Sequence, residues 1–211
     1  MADGPRADTR DALHALAESV ISALRVQETG NEIALQARPG GFGTPDLPGG
    51  GWAGSADGEV VAPDGGRAPV TSLRAAAEHV GLADARVLPD EPLAVDREHA
   101  AALGALFARG DAALRALLAG AAADEEPSEI HLWPEHFDIA MELGAGAARA
   151  TYGVSPGDEA HADPYAYVTP WTAPPPGPLW QAEGFAGAQA PADDADAIVV
   201  FWRERRAALR R

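Results

Sequence analysis

The chain has no cysteine and no lysine in its 211 residues. The first absence excludes disulfides and thiolate metal sites and leaves the redox compartment open. The second makes all 16 basic residues arginine. With the abundant Ala, Gly and Pro, this points to a GC-rich coding bias, so arginine by itself carries little functional information. Aromatic residues are only 6% of the chain, so its few large side chains must be placed well. Positive charge is also scarce. The net charge is −16 and the pI about 4.6, which argues against a nucleic-acid partner because phosphate binding needs a cationic surface. The negative charge itself reads as solubility or, more sharply, as attraction for a cationic ligand. There is no long apolar run: the longest strongly apolar one is residues 198–202, against the ~20 that span a bilayer. The first residues have no apolar signal-peptide core. The expectation is a soluble, cytoplasmic protein with no membrane partner.

The length allows one domain or two small ones. Residues 1–8 read as a disordered tail and residues 9–211 as a single α+β domain, with a subdivision near 120–128 as the alternative. Thr9 is placed to cap a first helix along which Leu13, Leu16, Ala17, Val20, Ile21 and Leu24 recur at helical spacing. His14 lies off that stripe, at the surface. Residues 32–38 alternate as a short strand. The following Pro-Gly-Gly-Phe-Gly-Thr matches no phosphate-loop pattern and reads as a turn that folds Phe42 over a core. Weak strands at 60–61 and 69–70, a short helix from Ser72 to Gly81, and a long helix capped by Asp96 follow. Gly110-Asp111 is a candidate bend in that long helix.

The rarer residue types crowd into residues 130–171, which hold three of the six His, two of the five Trp and all three Tyr. Apolar residues at 133, 137, 139, 141 and 143 predict one half-buried strand over 133–143, with Pro134 as a bulge that re-aims His131. In that strand His136 and Asp138 share a polar face, a pair able to ligate a divalent metal or to act as an acid–base dyad. Asp158 and His161 lie in the loop after the next strand, which returns near His131. Two His and two carboxylates would then converge, although no known metal motif is present. Ser155, in Val-Ser-Pro-Gly-Asp, reads as turn chemistry rather than as a nucleophile. Trp133, Tyr152, Tyr165, Tyr167, Trp171 and Trp180 read either as core or as the lining of an apolar pocket with hydroxyl handles. Strands over 148–154, 165–169 and 179–185 and a C-terminal helix from Asp194 complete the pattern.

At residues 39–44, 133–138, 155–158 and 164–171 the chain resembles a mainly actinobacterial family of unknown function with PGGFGT, WPEHFD, SPGD and PYxYVxPW motifs. That likeness runs over almost the whole chain. It is also distantly similar to a longer bacterial family of unknown function with a Val-His-Phe-Phe-Trp-Gly-Ser-Phe-Asp-Leu-Ala strand. On that pattern Leu13-His14, His131, Asp138 and residues 165–170 find counterparts. His136 does not, so the resemblance favours His131 and Asp138. It implies architecture and residue choice but no reaction.

These readings converge on an α+β protein: one antiparallel sheet of five to seven strands covered by N-terminal, central and C-terminal helices. Two functions are open. In the first, the protein binds a small-molecule ligand or a partner in an aromatic-lined pocket, with His131 and Asp138 as polar anchors and Trp133, His136, Tyr152, Tyr165, Tyr167 and Trp171 around them. In the second, it is a metal-assisted or acid–base hydrolase or isomerase that uses His131, His136, Asp138 and Asp158.

Overall fold

The computed structural model describes residues 4–174 and 176–211. It is an α+β protein with two antiparallel sheets of five strands each. The expected single sheet is thus two. The chain divides into two compact units, Met1–Ala108 with Leu132–Phe137, and Arg109–His131 with Asp138–Arg211. The division falls inside the long central helix. Among the described residues no helix is long and apolar enough to cross a membrane.

The first unit opens with helix α1 (Gly4–Leu16), a π turn (Ala17–Ile21) and helix α2 (Ser22–Thr29). Of the expected tail, residues 1–3 lie outside the described residues, while Gly4 to Asp8 are helical. Pro5 suits a first helical turn, where its missing N–H costs no bond. Thr9 is therefore inside the helix, and its hydroxyl accepts the N–H of Asp96 at 3.0 Å instead of capping. Ala12, Leu16, Val20 and Leu24 are all buried. They recur every four residues, whereas an α-helix turns every 3.6 and would carry such a stripe away from its face. The wider π turn takes up the extra residue and keeps the stripe on the core. His14 is not at the surface: its ring stacks on Phe137 at 5.1 Å and 4°.

The first sheet is a meander of β1 (Gln36–Arg38), β2 (Gly41–Gly43), β3 (Gly54–Ala56), β4 (Glu59–Val61) and β5 (Arg67–Pro69), in chain order. Its centre is glycine. A Cβ on Gly41 would lie 2.1 Å from Ser55 O, so the two strands tolerate no side chain there. Phe42 is fully buried, edge-on to Phe107 and Phe137 at 6.2 and 5.2 Å; it folds over the core as expected, but from strand β2 rather than from a turn. Helix α3 (Leu73–Val80) is capped by Ser72, which accepts from Ala75 N–H. Helix α4 (Arg97–Leu118) starts at Asp96, whose Oδ1 accepts from His99 N–H. It runs unbroken through Gly110. A Cβ on Gly104 of α4 would come within 2.6 Å of the Gly40 carbonyl, so helix and loop backbones touch.

The second sheet has the order β10–β9–β8–β7–β6. The strands are β6 (His131–Trp133), β7 (Asp138–Leu143), β8 (Ala150–Ser155), β9 (Tyr165–Pro170) and β10 (Ala188–Pro191). The expected strand over 133–143 is interrupted. Pro134 has no N–H to give a ladder, and the chain turns at 134–137. Phe137 adopts φ 53° and donates its N–H to Trp133 O at 2.7 Å. The strand expected at 179–185 is loop; Gly184, at φ 83°, leaves the extended region, and the last strand forms at Ala188–Pro191. Helix α5 (Ala195–Leu209) is capped by Asp194, which accepts from Ala197 N–H.

Candidate functional site

The register of the second sheet separates its two faces. Met141 pairs with Tyr152 and Tyr152 with Val168, while Ile139 pairs with Val154 and Val154 with Ala166. Those residues are all buried and form the core face. Trp202 of α5 covers it, edge-on to Tyr152 at 6.4 Å, and donates its indole N–H to Tyr167 O at 3.0 Å. The alternate positions carry polar groups on the opposite face. Ser155 pairs with Tyr165 and Gly153 with Tyr167. Because Ile139 pairs with Val154, Asp138 falls level with Ser155.

On this second face each tyrosine is tied to an aspartate. Tyr167 donates to Asp138 Oδ2 in a short bond, and Tyr165 donates to Asp158 Oδ2 at 2.9 Å. Tyr167 lies flat over strand β8: a Cβ on Gly153 would meet its ring carbon Cζ at 2.4 Å. Gly153 is thus the seat of the ring. Phe185 stands edge-on to Tyr167 at 6.3 Å, and Tyr165 is 6.3 Å from Tyr167. Both tyrosines and Phe185 are half-buried.

The loop after β8 is shaped by Asp158. Its Oδ1 accepts from Ala160 N–H at 2.7 Å and His161 N–H at 2.8 Å, and its own N–H donates to His161 O. This is the turn chemistry that Ser-Pro-Gly-Asp predicts. It also aims the second carboxylate oxygen at Tyr165. The His161 ring lies 5.0 Å from that of Tyr165, and its Nδ1 is 3.5 Å from Asp158 Oδ1. At that length the contact is electrostatic rather than a hydrogen bond.

The electrostatics follow from burial and these bonds. Burial pushes the Tyr165 hydroxyl up to about 12; the Ser155 hydroxyl opposes the shift and the Asp158 carboxylate adds to it. Burial, then the Asp138 charge and the bond to it, hold Tyr167 well above the ordinary tyrosine range. Burial works against ionisation of Asp158, but the bonds from His161 N–H, Tyr165 and Ala160 N–H outweigh it, and its carboxyl sits below the usual range. At neutral pH the tyrosines are therefore donors and Asp158 is an anion.

Asp138, Asp158, Tyr165 and Tyr167 thus come together. Tyr152, Trp171 and His136 do not join them. Tyr152 faces the core, fully buried. Trp171 is 59% exposed, with the Arg149 guanidinium 4.9 Å from its ring. Trp133 ends β6, and His136 lies exposed in the 134–137 turn instead of sharing a strand face with Asp138. His131 begins β6, its Nε2 3.9 Å from Glu129. Among the described residues, no group of three or more His, Asp and Glu side chains is arranged to hold a metal ion. Sequence reasoning missed Ser155, Gly153 and Phe185 as parts of the site. The first two could have been found by pairing the alternation of 153/155 with that of 165/167; Phe185, in a loop, carries no such signal. Trp180 lies elsewhere in the same unit, in a shallow groove of about 350 Å³ with Leu179, Pro178 and Leu209.

No family model, no curated protein and no solved structure matches this chain.

Proposed function

We propose that this protein binds a small ligand, or a side chain of a partner, on the Tyr165/Tyr167 face of its second sheet, with Asp138 and Asp158 as polar anchors. The observation that carries the reading is the pair of tyrosine–aspartate bonds on one strand face. A strand needs only its core face for stability. Rings held in fixed orientation by carboxylates on the other face are preorganised contact surface, of the kind ligand sites use. Two of the four segments at which the chain resembles the family of unknown function, residues 133–138 and 164–171, supply Asp138, Tyr165 and Tyr167.

Binding is favoured over hydrolysis or isomerisation because both phenolic protons are committed to carboxylates, and because His136, one of the two histidines expected as base or ligand, stands on an exposed turn. A fragment library screened against ¹⁵N-labelled protein tests the reading. Hits should move the amides of Gly153, Tyr165 and Tyr167, and Tyr167→Phe should weaken them about tenfold through the lost hydrogen bond and altered ring placement. Hits that move only Trp180 and Leu209, or none at all, would sink it.

A further inference from the structure

The two tyrosines of the site have already used their protons. Tyr167 donates to Asp138 and Tyr165 to Asp158. A phenol has one proton to give and lone pairs to receive with. What each hydroxyl still offers a ligand is an acceptor, and each stands beside a carboxylate. The rings act in the same sense. His161, Tyr165, Tyr167 and Phe185 form a continuous aromatic series, with centroids 5.0, 6.3 and 6.3 Å apart. The face of an aromatic ring carries the negative part of its quadrupole and attracts cations.

A separate observation comes from His161. Its side chain is only 13% exposed, and both ring nitrogens are buried without a hydrogen-bond partner. Buried polar nitrogens are ordinarily satisfied, and this ring lies against Tyr165, inside the cluster. A ligand that brings N–H groups to the face can donate to the unprotonated nitrogen as well as to the tyrosine oxygens.

We propose that the ligand of this face is a cationic amine, held by the hydroxyl lone pairs and ring faces of Tyr165 and Tyr167, with Asp138 and Asp158 behind them and His161 at the edge. This rests on the binding reading above. An anion would meet acceptors and negative charge. A neutral hydrocarbon would cover the lone pairs and leave them unsatisfied, which costs affinity. The net charge of −16 acts at longer range, raising the local concentration of cations.

Three probes of nearly equal shape separate the charge class from the site: benzylammonium, benzyl alcohol and benzoate, each titrated into ¹⁵N-labelled protein at low salt. The amides of Gly153, Tyr165 and Tyr167 report the site. Benzylammonium should bind there about tenfold more tightly than benzyl alcohol, benzoate should not bind, and added salt should narrow the gap. Asp158→Asn removes the charge and keeps one acceptor oxygen, for the loop N–H groups of Ala160 and His161, while its amide NH2 faces the Tyr165 oxygen. It should cost benzylammonium several-fold more affinity than it costs benzyl alcohol, with the rest of the spectrum confirming the fold. If benzyl alcohol or benzoate binds at these amides as well as the amine does, the cationic class is overturned and binding at this face stands. If none of the three moves them, the inference falls, and the fragment screen alone decides the wider reading.

Discussion

The two sheets have the same number of strands and are held together in opposite ways. In the first, every strand is three residues long, and β2 is Gly-Phe-Gly. Its strands and helix α4 meet backbone to backbone, at Gly41 against Ser55 and Gly104 against Gly40. In the second, β7, β8 and β9 each run six residues and meet the covering helix through large side chains, Tyr152 against Trp202 above all. A strand of three residues places one or two side chains on a face; a strand of six places three on each. The longer strands can therefore give one face to the core and keep the other for Asp138, Ser155, Tyr165 and Tyr167. The proposed site lies in the sheet whose strands are long enough to have two useful sides.

The contrast can be broken most severely at Trp202. Trp202→Ala removes a fully buried indole and its bond to Tyr167 O, and should cost about 3–5 kcal/mol by denaturant unfolding. A loss under about 1 kcal/mol would mean that side-chain packing does not hold the second sheet. Next comes Gly41→Ala, which forces a Cβ onto Ser55 O. Overpacking of this kind costs about 1–3 kcal/mol, and the paired Gly153→Ala should cost less, since its Cβ meets the end of the Tyr167 ring, which can swing away. Equal losses at the two positions would erase the distinction between backbone-packed and side-chain-packed sheets.

The gentlest test uses pH. All three tyrosines of the chain are in the second sheet, and burial is the main cause that raises each above the ordinary value. An unfolded tyrosine releases its proton near pH 10, while the folded state keeps it. Stability is therefore full below that pH and falls as pH rises beyond it. Tyrosinate absorbance near 295 nm should stay flat through pH 10 and rise only together with unfolding. An early rise equivalent to one tyrosine would show that a ring of the site is freely solvated.

Much of this is legible in the residues, and the failures have physical causes. The α+β class, the caps at Ser72, Asp96 and Asp194, and the burial of Phe42 follow from local rules that tertiary contacts did not override. The alternation around Asp138 is visible too. Yet Pro134 starts a turn instead of placing a bulge within one strand, and that turn takes His136 away from the site. Tyr152, Tyr165 and Tyr167 cannot be sorted by period alone. Alternation says which residues share a face; only the covering helix says which face is the core. The π turn likewise hides in a sequence that reads as plain helix, because each of Leu13, Leu16, Ala17, Val20 and Ile21 still has another apolar residue three or four positions further on.

That turn has a consequence for how the gene can change. Losing a single codon within a helix rotates everything after it by about 100°, which ordinarily carries the buried residues out to solvent. Between Ala17 and Ile21 the helix holds one residue more than an α turn needs. A deletion of exposed Glu18 there would relax the π turn to an ordinary one and leave Leu24 facing inward. It is a point at which this helix can be shortened by an indel without losing its phase.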